Sequence, residues 1–236
     1  MNDSLDSKTG LTDTLPTVFG YIGIGLAFGI VSSAAHISAL GALLMGLITY
    51  SGAAQFVVVS MLAVHSPYIS IIFSVLMLSA RMLLTSMTVA PYFAKDSMRR
   101  NIILGSLLTD ETFALSMNKL NYTDHHLSFA WLNTSNLFAY LAWAVSGLAG
   151  NLLGSLISDP QQWGLDYALV SMFIGLLYLQ MIGDRSLKLS FQSAIVVLVF
   201  VLTYFGMIFM PSGIVTLVVT IIACLVGMGV RAHVQS

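Results

Sequence analysis

LPTVFGYIGIGLAFGIVSSAA, residues 15–35, carries no charged side chain and includes Gly20, Gly23, Gly25 and Gly29. A helix needs about 20 mainly apolar residues to cross about 30 Å of hydrocarbon, so this stretch reads as a membrane span. Its glycines admit two readings: a groove for close approach of a second backbone, or bends that expose backbone to a substrate. Comparable runs cover 38–64, 68–90, 127–157, 165–182, 189–210 and 213–230. Together they predict an all-α polytopic membrane protein of about seven transmembrane helices with a broken or re-entrant segment. A polar N-terminal segment, 1–14, precedes one integral membrane domain, 15–230, and a tail, 231–236. The polar lead lacks the basic region and small-residue cleavage pattern of a secretory signal and is expected to be retained.

Composition supports that class and removes others. Of 236 residues, 57% are hydrophobic and 8% charged, which leaves too greasy a surface for a soluble enzyme. A net charge of −1 with dispersed Lys and Arg gives no footprint for nucleic acid. Cys224, the single cysteine, cannot form an intrachain disulfide or a cysteine metal cluster. His36, His65, His125 and His126 make no metal-ligating pattern, so no metal site is expected. No phosphate-binding loop, dinucleotide fingerprint or nucleophile framework is present.

Two apolar runs are interrupted. Residues 38–64 contain TYSGAAQ, 49–55, where a helix could break and expose backbone polar groups at mid-bilayer. Residues 101–117 are barely long enough to span and contain Thr109, Asp110, Glu111 and Thr112. Lys95, Arg99 and Arg100 mark the strongest cytoplasmic loop by the positive-inside rule. If 101–117 is re-entrant, Arg185 and Lys188 fall on the same side, and alternation then places the N-terminus outside.

The polar residues inside the runs are the candidates for chemistry. Arg81 needs an acidic partner, carbonyls, water or headgroups; it is either a snorkelling anchor or part of an aqueous cavity with Asp110 or Glu111. Those two carboxylates point about 100° apart on a helix, so one can pair with Arg81 while the other takes an amine or a proton. Tyr50, Ser51, Gly52 and Gln55 lie across the proposed break and could contact a small zwitterion. Asn133 and Asn136, with Trp131 and Trp143, form the other polar and aromatic region. Pro16, Gly20, Gly25, Gly29 and Pro91 are read as packing or hinge positions.

TLPTVFGYIGIGLAFG (14–29), ITYSGAAQF (48–56), SARMLLTSMTVAPYF (79–93) and LLTDETFALSMNK (107–119), in that order, resemble the AzlC-type branched-chain amino acid export family. The resemblance covers about residues 10–182. It implies the large subunit of a two-component secondary transporter in a bacterial cytoplasmic membrane, working with a small AzlD-type membrane protein. Its cargo would be valine first, with leucine, isoleucine and methionine overlapping. Pro16, Gly20, Tyr21, Tyr50, Gly52, Gln55, Phe56, Arg81, Ala90, Pro91, Tyr92, Thr109, Asp110 and Glu111 fit its motifs. Gly23 stands where relatives are expected to carry proline, and Ser79 and Met82 replace an Asn and a His beside the arginine. No cofactor is expected; proton coupling through Asp110 and Glu111 is. The alternatives are a nontransporting membrane scaffold or receptor, and an enzyme acting on lipid.

Overall fold

The structure, a computed structural model, describes residues 3–63, 65–157, 167–183, 189–210 and 212–234. Among them the regular structure is helical throughout. Two units are distinguished, residues 1–183 and 184–236.

The first unit is organised around two long helices, α1 (Ser7–Ala34) and α8 (Phe129–Gly154). Asp6 caps α1 by accepting the Thr9 amide at 2.9 Å, and Ser128 caps α8 by accepting that of Trp131 at 3.2 Å. Between these two helices the apolar effect supplies little, because lipid tails are as apolar as leucine, so close packing of small residues takes over. A Cβ on Gly29 would strike the Gly147 carbonyl, and one on Gly150 would strike the Leu26 backbone. Polar contacts rise in step along both helices: Ser135 Oγ to the Gly10 carbonyl (3.1 Å), Ser146 Oγ to that of Tyr21 (3.1 Å), Asn151 Nδ2 to Ser32 Oγ (2.8 Å). The helices are therefore parallel and begin at the same membrane face.

α1 begins at Ser7, eight residues before the expected span, so Asp13 and Thr14 belong to the helix. The expected span at 38–64 is not one crossing. It divides into α2 (Ala39–Leu44), a π-helical turn (Met45–Thr49) and α3 (Gly52–Ala63). Gln55 Nε2 donates to the Met45 carbonyl, which ten residues of straight helix, about 15 Å, would prevent. α2 starts beside Asn151, descends to Tyr140 at Leu47, and α3 climbs back to Phe28 at Phe56. This is a re-entrant hairpin from the face where α1 and α8 end.

α4 (Tyr68–Ser79), α5 (Arg81–Val89) and a 3-10 turn at Ala90–Phe93 holding Pro91 make the return crossing, interrupted at Ala80. α6 (Met98–Leu107) and α7 (Asp110–Leu120) then form a second hairpin. Arg100 at the start of α6 lies over the Phe129 ring, and Lys119 at the end of α7 lies over that of Trp131. Those two rings are neighbours at the beginning of α8, so the segment around 101–117 enters and leaves by one face, as the re-entrant reading expected. Its face is opposite to that of the first hairpin. Each long helix, α1 and then α4–α5, thus delivers the chain into a hairpin at the face it reaches, in opposite directions.

One expectation changes as a result. With the first hairpin turning back, α1 and α4–α5 are consecutive crossings, and the N-terminus shares a face with the loop carrying Lys95, Arg99 and Arg100. It does not lie opposite, as counting 38–64 as a span implied.

α9 (Ala168–Gly183) completes the first unit, packed on α7. The second unit is a hairpin of α10 (Leu189–Phe209) and α11 (Ser212–Val234), touching at Gly206 and Val215. By length and composition, Ser7–Ala34, Tyr68–Phe93, Phe129–Gly154 and Leu189–Phe209 are each able to cross a membrane among the described residues. Arg185, Lys188 and Pro211 lie outside the described residues.

Candidate functional site

The two hairpin tips meet within the first unit. In the first, Tyr50 takes a left-handed conformation, φ 38° and ψ 49°, which a non-glycine residue holds only when its surroundings enforce it. The enforcing contacts come from α8. The Tyr50 ring meets that of Tyr140 edge-on at 4.8 Å, and Tyr140 Oη donates to the Leu47 carbonyl at 2.9 Å. Trp143 Nε1 donates to Gln55 Oε1 at 2.8 Å, while Gln55 Nε2 holds the other arm. Gly52 packs on the Trp143 ring, where any side chain would crowd it.

In the second tip, Leu108 and Thr109 are extended and Thr109 caps α7. Its hydroxyl accepts the Thr112 amide (3.3 Å), and Thr112 Oγ1 accepts that of Thr109 (3.0 Å), a reciprocal box that anchors the start of the helix. From α1, Tyr21 Oη donates to Glu111 Oε2 at 2.6 Å and lies 2.8 Å from Thr109 Oγ1. From α5, Arg81 Nη2 pairs with Asp110 Oδ2 at 2.7 Å. Asp110 and Glu111 therefore serve different partners, Arg81 and Tyr21.

Tyr21, Tyr50, Ser51, Gly52, Ala53, Arg81, Met82, Thr109, Asp110, Glu111 and Trp143 enclose a cavity of about 20 Å³, roughly one water. The Tyr50 hydroxyl is buried near that of Tyr21 without a well-formed hydrogen bond. Arg81 lines the cavity with its side chain 35% exposed. Both α3 and α7 start here, so the positive ends of two half-helices converge from opposite faces. Only the α7 end carries acidic residues in its first turn. The pocket is thus polarised: amides of Ser51–Ala53 on one side, carboxylates on the other.

The structure gathers Tyr50, Ser51, Gly52, Arg81, Asp110 and Glu111 around one cavity. Gln55 lies behind it, fully buried, as the brace between hairpin arms. Asn136 is buried below and caps α6, its Nδ2 donating to the Leu104 carbonyl at 3.4 Å. Asn133, ten residues or about 15 Å before Trp143, does not line the cavity. Gly25 and Gly29 make the α1–α8 contact, whereas Gly20 faces open space and Pro16 is exposed. Residue reading alone did not single out Tyr21, and it placed Trp143 in the polar and aromatic region with Asn133 and Asn136. The signal for Tyr21 and Trp143 was an OH or NH within an apolar run, which must find a partner when buried.

A chain whose described residues are helical, several of them in helices long and apolar enough to cross a membrane, is an integral membrane protein, here with two opposed re-entrant hairpins meeting at a polar, charge-paired cavity. The chain belongs to the AzlC family: residues 16–157 match the family described as AzlC protein. An uncharacterized membrane protein of Helicobacter pylori strain J99 is 30% identical over 180 residues, 74% of this chain and 75% of that protein. The inner membrane protein YgaZ of Escherichia coli K12 is 28% identical over 147 residues, 62% of this chain and 60% of its own. The branched-chain amino acid transport protein AzlC of Bacillus subtilis is 24% identical over 165 residues, 68% and 62% of the respective chains. No solved structure matches the chain.

Proposed function

We propose that this chain is the large subunit of a two-component secondary transporter that exports branched-chain L-amino acids, valine first, across a bacterial cytoplasmic membrane. The observation that carries the reading is the polarised cavity between the hairpin tips. A substrate carboxylate suits the amides and positive helix end at Ser51, Gly52 and Ala53, assisted by Arg81. Its ammonium suits Asp110 or Glu111, and its branched side chain suits Ala53, Met82 and Trp143. At about 20 Å³ the cavity is closed, so a substrate enters only by separating the tips or by parting Arg81 from Asp110. Such an internal pair already mimics the two charges of a zwitterion.

The relative from Bacillus subtilis, named for branched-chain amino acid transport, supports the cargo class. The direction, the small AzlD-type partner and proton coupling at Glu111 or Asp110 complete the proposal. An apolar pocket separates substrates differing by one methylene by only about 1–3 kcal/mol, so leucine, isoleucine and methionine compete with valine.

The test is efflux of labelled valine from proteoliposomes holding this chain with and without a small AzlD-type protein, under an imposed pH gradient. Saturable efflux that needs both proteins and fails in Arg81→Gln supports the reading. A folded pair that moves no amino acid across a full panel overturns it in favour of a scaffold.

A further inference from the structure

We propose that Asp13 and Lys119 form a second ionic site on the translocation path, the gate that closes the route between the central cavity and the face where α1 begins. The proposal rests on the transport reading above. Lys119 is fully buried; its Nζ lies 2.8 Å from Asp13 Oδ2 and 5.5 Å from the centroid of the Trp131 ring. The same carboxylate oxygen accepts Trp131 Nε1 at 3.1 Å, so three elements, α1, α7 and α8, are tied at one point.

Position gives the tie its meaning. Asp13 precedes Tyr21 by eight residues on α1, and Lys119 follows Glu111 by eight on α7, about 12 Å of helix in each case. Tyr21 and Glu111 bond each other at the cavity, and Asp13 and Lys119 bond each other beyond it, toward the helix ends. Between the two levels lie Thr14, Thr112 and Ser116, all fully buried hydroxyl side chains. The Thr14 hydroxyl has no hydrogen-bond partner. Small hydroxyl residues also let membrane helices pack closely, and Ser116 Oγ donates to the Thr112 carbonyl; the buried Thr14 hydroxyl is the one that packing leaves unused, and it suits a route that is wetted when it opens.

Stability does not account for the pair. Two charges removed from water lose solvation that their attraction only partly returns, and apolar residues of equal volume often do as well. An ion pair does allow exchange: Lys119 can pass to a carboxylate and Asp13 to an ammonium, the same complement that Arg81 and Asp110 present in the cavity. α7 is built to move as a piece, an 11-residue helix bounded by extended Leu108–Thr109 before it and a turn with left-handed Asp124 and His125 after it.

Thiol accessibility tests this directly. With Cys224, the single native cysteine, replaced by serine, Ser116→Cys is alkylated by a membrane-impermeant maleimide applied at the α1-start face. Slow labelling with the pair intact, raised about tenfold by Asp13→Asn, is expected, the change from a gate open about 1% of the time to one open about 10%. The exchanged pair Asp13→Lys with Lys119→Asp restores slow labelling, and saturating valine speeds it in the unaltered pair where the matching amine or carboxylic acid alone does not. Ala139→Cys, fully buried in the α1–α8 core, reports loss of fold. Equal labelling of Ser116→Cys with and without Asp13→Asn, or a rise matched by Ala139→Cys, overturns the gate. Flux reads the cargo separately: absent amino acid flux together with a maleimide rate released by Asp13→Asn overturns the cargo reading and supports the gate.

Discussion

Gly20 and Gly29 sit nine residues apart on α1 and answer to different constraints. A Cβ at Gly29 meets the Gly147 carbonyl and the Asn151 amide, backbone atoms that cannot yield without parting the helices, whereas Gly20 faces open space. Gly29→Ala is expected to destabilise by about 1–3 kcal/mol, the usual cost of overpacking. Gly20→Ala gains up to about 1 kcal/mol of helix propensity. Melting midpoints of the two variants in detergent should therefore move in opposite directions. Thr109→Ala removes the cap of α7 and is expected to cost about 1 kcal/mol, read in the same way. It also takes from Tyr21 one of its two partners, so valine efflux should fall further than the stability loss alone explains. Composition could mark Gly20, Gly25 and Gly29 equally as small residues in a greasy run, but could not say which faces α8. That depends on the rotation of α1 about its axis, and an almost uniformly apolar helix does not display it.

The hairpins set the limit of what was readable at the level of elements. TYSGAAQ announced a break in 38–64, and the acidic tract announced one in 101–117, because polar groups at mid-bilayer need special satisfaction. Whether the chain continues across or turns back rests on torsions at two residues, Tyr50–Ser51 in one case and Leu108–Thr109 in the other. A tyrosine in a left-handed conformation gives no warning of the reversal, as a glycine would. Length was the overlooked signal: 39–49 and 52–63 are each about 17 Å of helix, half a bilayer apiece. Gln55 holds the reversal closed, accepting from Trp143 and donating to Met45. Gln55→Leu keeps the volume but strands a buried donor and a buried acceptor, at about 1–3 kcal/mol each. Amide exchange across 45–55 should accelerate in this variant, with 129–154 left protected. If exchange rises equally in α8, Gln55 supports the whole core and not the hairpin alone.

At the scale of the whole molecule the hairpins decide sidedness, and sidedness decides which face the Asp13–Lys119 pair guards. Counting 38–64 as a crossing puts the N-terminus opposite the loop with Lys95, Arg99 and Arg100; a re-entrant hairpin puts them together. The two arrangements differ in which pairs of sites an impermeant thiol reagent reaches from one side. In a chain with Cys224 replaced, cysteines at Ser4 and Ser97 should label from one side, and cysteines at His36 and Ser66 from the other. The excess of Lys and Arg near Ser97 assigns the first side to the cytoplasm. Labelling of His36→Cys and Ser66→Cys from opposite sides would mean that 38–64 crosses the membrane, and the tips at Tyr50 and Thr109 would no longer face each other from opposite leaflets. Shared labelling of all four positions from either side would instead report a leaky vesicle, which release of an enclosed impermeant dye controls for. With that sidedness, Asp13 and Lys119 stand on the cytoplasmic approach to the cavity, which is the side an amino acid would enter from under the export proposed above.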